Sequence, residues 1–177
     1  MSCGIIPLEL RTEYAVDPLG VLGVEASQPR FSWVFESAGN AGDVDRGQIQ
    51  SAYRILVSSR PEKLESDIGD KWDSGKVESG KSVNVAYKGE ALGSGEKCYW
   101  KVRCWDKDEK AGPYSMVARF EMGLLSEGDW EGKWIGADDP ISSPLLRKEF
   151  EVSNVSKVRH ARAYISGLGW YELYING

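Results

Sequence analysis

Apolar and polar residues alternate along much of this chain, and that period of two constrains its fold more than any other feature. In residues 30–35, Phe31, Trp33 and Phe35 fall on one face of a predicted strand. The spacing of an amphipathic helix is nearly absent, and only residues 61–65, which start with a proline, favour a helical turn. The pattern therefore predicts an all-β protein. The other alternating sets are Tyr53, Ile55 and Val57; Val83, Val85 and Tyr87; and Met116, Ala118, Phe120 and Met122.

Turn-forming residues separate these runs into seven or so short strands. Such a series over about 115 residues is typical of an immunoglobulin-like or fibronectin type III-like β-sandwich, which we expect to occupy residues 1–122. Trp33 and Trp100 are the expected core anchors, because each alternates with other apolar residues. Trp105 lies on the opposite strand face and borders the charged turn at 106–110, so we expect it to be more exposed.

The charge balance excludes some partners. The chain has 27 Asp and Glu residues against 22 Lys and Arg residues, a net charge of −5. Proteins that neutralise phosphates carry clustered basic surfaces, so no nucleic acid or anionic membrane is expected as the main partner. No apolar run approaches the roughly 18 residues of a membrane span, and no transmembrane segment is expected. The opening residues are too few for a signal peptide, so an exported protein would already have lost its signal.

Three cysteines and one histidine limit the chemistry of the chain. Cys98 and Cys104 lie about 20 Å apart in one predicted strand, too far for a disulfide, and share a face with Trp100, which predicts core thiols. Cys3, in a Ser-Cys-Gly start, resembles the residue left after a bacterial lipoprotein signal is cut, and it is a candidate for lipidation. A terminal cysteine without function is the alternative. With no Cys-x-x-Cys pair and no histidine besides His160, neither a metal site nor a cofactor is expected.

A second unit is expected after a connection at residues 123–129. Trp130 and Trp134 open it, and the remaining pattern is again that of strands. The dipeptide Asn176-Gly177 is the one that type I′ hairpin turns prefer. We therefore expect residues 130–177 to form the first strands of a second β-sandwich, truncated at a hairpin turn. Its predicted strands cover residues 145–152, 158–166 and 170–175.

Seven motifs follow one another through the whole chain. The first three are Leu10-Arg11-Thr12-Glu13-Tyr14 with Asp17-Pro18-Leu19-Gly20, Pro29-Arg30-Phe31-Ser32-Trp33, and Gln50-Ser51-Ala52-Tyr53-Arg54-Ile55. The others are Trp72-Asp73-Ser74-Gly75-Lys76-Val77, Tyr99-Trp100-Lys101-Val102-Arg103-Cys104-Trp105-Asp106, Trp130-Glu131-Gly132-Lys133-Trp134-Ile135-Gly136, and the stretch 161–177. In this order they resemble the N-terminal region of bacterial α-L-rhamnosidases, a family of glycoside hydrolases.

The resemblance implies a parent enzyme that removes terminal α-L-rhamnose from glycans with inversion. Two carboxyl groups, about 6.5 to 9.5 Å apart in such enzymes, would act from an (α/α) barrel downstream of this chain. No catalytic residue carries over onto these positions. The acidic clusters at 106–109 and 138–139 border turn residues, and solvated turns explain them. The implied partner is the remainder of the enzyme, exported to the periplasm or anchored at the outer membrane.

Three functions remain open for the chain itself. The first is a non-catalytic accessory part of such a rhamnosidase. The second is a carbohydrate-binding module for rhamnose-containing glycans, with Trp72, Trp105 and Trp170 as candidate sugar-binding residues, since sugar rings stack on exposed indoles. Packing within the core or between domains is the other explanation for each of these tryptophans. The third is a protein-interaction or adhesion module, because fibronectin-like sandwiches support many functions.

Overall fold

The computed structural model describes residues 4–16, 20–37, 47–137 and 143–177. The chain divides into a first unit that ends at Gly132 and a second unit from Lys133 to Gly177. The strands are β1 (Ile5–Thr12), β2 (Ala15–Val16), β3 (Val21–Val24), β4 (Arg30–Ser37), β5 (Ala52–Ser58), β6 (Trp72–Asp73), β7 (Val77–Glu78), β8 (Val85–Ala86), β9 (Lys97–Trp105), β10 (Ala111–Tyr114) and β11 (Ala118–Met122). The helical segments are α1 (Pro61–Glu65) and the 3₁₀ turns Glu127–Asp129 and Val155–Lys157.

Two sheets form the first unit. The first sheet has the strand order β2-β1-β4-β8. The second sheet has the order β3-β11-β9-β5-β6, with β10 added to β9 and β7 added to β5. Pairing is antiparallel except between β3 and β11. The prediction of an all-β, sandwich-type fold is confirmed.

Two tryptophans anchor the core between the sheets, as predicted. Trp33 of β4 and Trp100 of β9 are 2% and 0% exposed. The Phe31 ring lies 4.4 Å from the Trp100 ring, centroid to centroid. Each indole N–H also has an acceptor, Gln50 Oε1 at 2.9 Å for Trp33 and Thr12 Oγ1 at 3.2 Å for Trp100. The core therefore buries both indoles without leaving their donors unpaired.

The two strand cysteines are core residues. Cys98 and Cys104 are free thiols with no exposed surface. Burial raises the pKa of both thiols to about 12. Their predicted place on the apolar face of β9 is confirmed, and a thiol that stays protonated at neutral pH is a poor nucleophile.

The short helix α1 covers part of the outer face of the second sheet. It begins at Pro61, as the sequence predicts, and contacts β5 and β9. Leu64 of α1 is fully buried, and so is Leu56, which lies on the face of β5 opposite Ile55. For this reason β5 is buried on both faces, although its sequence pattern marks only one.

Three predicted strand positions, Val83, Tyr87 and Met116, lie outside strands, and of these Tyr87 is still buried. Val83 and Met116 are 57% and 86% exposed. Asn84 has a φ of +52°, which interrupts the extended backbone between Val83 and β8. Met116 lies in the connection between β10 and β11. The alternating pattern therefore continues beyond the ends of the paired segments.

The segment at 123–129 is attached to the first unit. The Gly123 N–H donates to the carbonyl of Val24 at 2.8 Å. The Leu125 N–H donates to Ser94 Oγ at 2.9 Å, and the Leu125 side chain packs against the core. The single 3₁₀ turn that follows has a capping box between Ser126 and Asp129.

The second unit differs from its prediction. Its described residues contain no strand, whereas strands were predicted at 145–152, 158–166 and 170–175. A strand is held by hydrogen bonds to a neighbour, and no described segment of this unit is paired with another. Asn176 and Gly177 nevertheless have φ values of +61° and +97°, the sign that the centre of a type I′ turn requires.

Several residues singled out from the sequence lie outside the described part of the chain. They are Cys3, Asp138, Asp139 and residues of the turns at 17–19 and 38–46.

Candidate functional site

Trp72 is held in the edge of the core. Its strand β6 pairs with β5, with Trp72 opposite Val57. The indole stacks on Phe31 at a centroid distance of 6.3 Å and meets the edge of Tyr87 at 5.4 Å. The side chain is half-buried and packs against the core cluster. Packing against the core therefore explains Trp72 without a sugar ligand.

Trp105 lies on the other face of the second sheet. It is the last residue of β9 and pairs with Ala52, five residues before the partner of Trp72 on β5. An odd spacing puts the two indoles on opposite faces, and five residues of strand separate them by about 16 Å. Trp105 is half-buried, with Lys76 Nζ 5.4 Å and Arg103 Cζ 5.8 Å from its ring centroid. The structure therefore does not bring Trp72 and Trp105 into one site.

Trp170 belongs to the second unit. It is 94% exposed and lies outside any strand. The described part of the chain gives its indole no stacking partner.

The outer face of the second sheet carries a group of side chains that the sequence analysis missed. Arg103 lies between β5 and β10, directly opposite Arg54 on one side and Tyr114 on the other. The Tyr114 ring lies 4.3 Å from Arg103 Cζ and 4.1 Å from Lys101 Nζ. We call these residues, with Trp105, the outer-face cluster: Arg54, Lys101, Arg103, Trp105 and Tyr114. The alternation of Lys101, Arg103 and Trp105 in β9 is the sequence signal that could have indicated it.

Lys101 and Arg54 have ionic partners within the first unit. Lys101 is 7% exposed; it donates to the carbonyl of Leu64 at 2.5 Å and forms an ion pair with Asp67. Arg54 donates from Nε and Nη2 to the two carboxylate oxygens of Asp73, at 2.9 and 2.6 Å. That two-bonded contact lowers the pKa of Asp73. Both cations are thus neutralised locally.

The acidic turn after β9 has a structural explanation. Asp106 is 1% exposed, and its Oδ1 accepts from the backbone N–H groups of Asp108 and Lys110, both at 2.9 Å. The turn predicted here is confirmed, although Asp106 itself is buried rather than solvated. Its carboxylate fixes the β9–β10 hairpin instead of facing a substrate.

Five described carboxyl groups have a pKa below the ordinary value, which favours their charged form. At Asp70 burial acts to raise the pKa, but hydrogen bonds from Lys63, Ser58 and Ser59 outweigh it and lower the pKa below its usual range. Every other described carboxyl whose pKa departs clearly from its ordinary value is also shifted downwards. These are Glu13, Asp73, Glu96 and Asp129. A general acid for glycoside hydrolysis needs the opposite shift.

A shallow, open groove of about 410 Å³ lies between the β1–β2 turn and β3, lined by Glu13, Tyr14 and residues 21–26. The described side chains form no cluster of three potential metal ligands. Among the described segments, none is a helix with the length and apolarity to cross a membrane.

The fold defines a class: an immunoglobulin-like β-sandwich of two sheets around one apolar core. Comparison with known proteins then gives the family. The chain belongs to the family of Rha78A-like N-terminal immunoglobulin domains, whose sequence model matches residues 7–126.

Relatives and solved structures agree with this assignment. The chain is 43% identical over 173 residues to an α-L-rhamnosidase of Alteromonas sp. (strain LOR), a match that covers 92% of this chain and 18% of the relative. It also matches the structure of an α-L-rhamnosidase from Dictyoglumus thermophilum, with 37% identity and a TM-score of 0.65, over 74% of this chain and 14% of that one. The Streptomyces avermitilis α-L-rhamnosidase complexed with L-rhamnose gives the same identity and TM-score, over 75% and 12%. This chain therefore spans less than a fifth of each of these relatives.

Proposed function

We propose that this chain is the non-catalytic N-terminal accessory part of an α-L-rhamnosidase. One observation carries the proposal: the relatives and neighbours named α-L-rhamnosidase match most of this chain, which corresponds to only 12–18% of their own length. A small part of a large enzyme, folded as an immunoglobulin-like sandwich, is expected to pack against the remaining domains and to help position them.

In this proposal the catalytic carboxyl groups lie elsewhere in the parent enzyme, in a downstream (α/α) barrel. An inverting glycosidase needs one carboxylic acid to protonate the leaving oxygen and one carboxylate to activate water on the opposite face of the sugar. The acid must hold its proton near neutral pH, which requires a raised pKa. The downward pKa shifts of Asp70 and Asp73 suit ion pairing instead. The parent's reaction would be removal of terminal α-L-rhamnose, in an exported protein.

The test of this proposal is a hydrolysis assay with an aryl α-L-rhamnoside. The purified 177-residue chain should release no aryl alcohol above the blank, whereas the product of the complete reading frame should release it. The same complete protein without residues 1–132 should lose activity on heating at a lower temperature, because a packed domain has been removed. Turnover by the 177-residue chain that co-purifies with it would contradict the proposal, and so would an inactive complete protein.

Carbohydrate binding is the second candidate function, favoured by the exposure of Trp170 and the partly open ring of Trp105. Calorimetric titration with a rhamnose-containing oligosaccharide tests it. Saturable heat that disappears in Trp105→Ala or Trp170→Ala would support this function. Trp134→Ala is the matched control, because Trp134 is 71% exposed and was not a candidate.

A further inference from the structure

Arg103 lies within cation–π distance of two aromatic rings on the outer face of the second sheet. Its Cζ lies 4.3 Å from the Tyr114 ring centroid and 5.8 Å from that of Trp105. Cation–π contacts of this kind restrict the motion of a guanidinium, whose N–H groups can still bind an acceptor. The Arg103 side chain therefore loses little further conformational entropy when it binds an acceptor.

No carboxylate in the described residues pairs with Arg103. Arg54 lies directly opposite Arg103 on β5, and like charges at paired strand positions repel. Asp73 is occupied by both bonds from Arg54, and Asp67 is paired with Lys101. In the described part of the chain Arg103 forms no ion pair. Arg103 is thus an unpaired positive charge on a chain whose net charge is −5.

Unpaired polar atoms lie at the same place. Arg103 Nε and the hydroxyl of Tyr114 are both buried without a hydrogen-bond partner in the described residues. Burial raises the pKa of the Tyr114 phenol, so at neutral pH it is a neutral donor. Native proteins pair most buried polar groups, and two unpaired ones on neighbouring side chains call for an explanation. Neither atom is open to solvent, so an acceptor from outside would meet the terminal nitrogens of Arg103, which have no hydrogen-bond partner in the described residues.

We propose that the outer-face cluster is a docking surface for a protein partner, and that a carboxylate of that partner binds Arg103. Trp105 and Tyr114 form the apolar walls of this contact. The inference goes beyond the proposed accessory function, and it does not depend on what reaction the complete protein catalyses.

The shape of the surface favours a protein over a small ligand. Small-molecule sites are concave, whereas this cluster lies on the face of a sheet, and the described groove is at the β1–β2 turn instead. Arg, Tyr and Trp are also the residue types most enriched at the energetic centres of protein interfaces. The unpaired charge of Arg103 would attract any anion, but its planar guanidinium suits the planar, two-oxygen acceptor of an Asp or Glu side chain.

The experiment is an NMR titration of the ¹⁵N-labelled 177-residue chain. The probe is a blocked Gly-Glu-Gly-Glu-Gly peptide, and the matched control peptide is Gly-Gln-Gly-Gln-Gly. We expect saturable shifts of the Trp105 indole and Arg103 Nε–H signals with the Glu peptide, and about tenfold weaker binding of the Gln peptide. Arg103→Gln should abolish the shifts, and Arg103→Lys should weaken them, since lysine keeps the charge but loses the fork.

Arg11→Gln is the control variant, because Arg11 is a half-buried arginine of the first sheet, with its side chain 43% exposed, that pairs with Glu9. It should bind as the unmodified chain does. A retained, dispersed amide spectrum shows that each variant is folded. Equal binding of the two peptides, or unchanged binding by Arg103→Gln, would overturn the proposal. If free glucuronate bound as tightly as the Glu peptide, the site would be one for acidic sugars and the protein partner would be refuted.

Discussion

Replacing Gln50 with methionine should destabilise the first unit by about 3 kcal/mol. Gln50 is 2% exposed and sits between the sheets. Its Oε1 accepts from the Trp33 indole at 2.9 Å, and its Nε2 donates to the carbonyls of Ser79 and Lys81, both at 3.0 Å. Methionine has a similar volume and no donor or acceptor of comparable strength, so the exchange isolates the loss of hydrogen bonds from the loss of packing.

The Cys104 thiol also donates to Gln50 Oε1, at 3.1 Å, but a thiol is a weak donor, so the magnitude follows mainly from the other three bonds. A neutral hydrogen bond contributes about 1 kcal/mol net, and each partner that stays buried and unpaired costs about 1 to 3 kcal/mol. The indole N–H of Trp33 lies in the buried core, whereas the two carbonyls are partly buried and recover some hydration. About 3 kcal/mol is therefore expected, which lowers the melting temperature of a domain of this size by about 10 °C.

Urea unfolding followed by tryptophan fluorescence measures this free energy directly. Gln28→Met, at an exposed glutamine, is the matched control and should change stability by less than about 0.5 kcal/mol. In a double-mutant cycle with Trp33→Phe, which removes the indole donor, the coupling energy should be about 1 kcal/mol. A loss below about 1 kcal/mol for Gln50→Met, or no coupling in the cycle, would refute the reasoning that this amide satisfies the core.

Three further predictions concern single sites. Asp70→Asn should reduce the free energy of unfolding by about 2 kcal/mol at pH 7. Because folding lowers the pKa of Asp70, this difference should persist down to about pH 4 and shrink as the pH falls further. Acid unfolding curves of the two proteins measure it. In a variant without Cys3, a thiol reagent at pH 8 should modify neither Cys98 nor Cys104 in the folded chain, since burial raises the pKa of each to about 12. Both should react in guanidinium. Modification of the folded chain would contradict their burial. Gly112→Ala should cost about 1 to 3 kcal/mol, because its new Cβ would lie 2.0 Å from a backbone carbonyl of β1, whereas Gly93→Ala, with no neighbour nearer than 3.8 Å, should be close to neutral in thermal melts.

The core could be predicted from sequence because burial on one face leaves a period-two pattern. Trp33 and Trp100 each stand among apolar residues spaced by two, and both are buried as that spacing requires. The same rule failed at Val83, where a positive φ at the neighbouring Asn84 turns the chain. It also missed β6 and β7, since two-residue strands are too short to show any period.

The outer-face cluster could not be predicted in the same way. Its central contact joins Arg103 to Tyr114, which become neighbours only because β10 folds back onto β9 in a particular register. Leu56 shows the same limit. It is buried because α1, a separate segment, packs against β5, and the period-two pattern of β5 does not show that contact. Sequence patterns report which face of a strand is apolar, whereas a polar site depends on which strands are adjacent.

In strand β9, residues that pack in the core alternate with residues of the outer-face cluster. Folding and the proposed docking can therefore be separated by experiment. Trp100, Val102 and Cys104 face the core and have no exposed surface. Arg103 and Trp105 face outwards, where their truncation removes no core contact. Substitution at Val102 should therefore weaken folding, whereas substitution one residue later should weaken docking and leave the melting curve nearly unchanged. A docking defect that always came with an equal loss of stability would mean that the outer face is only structural.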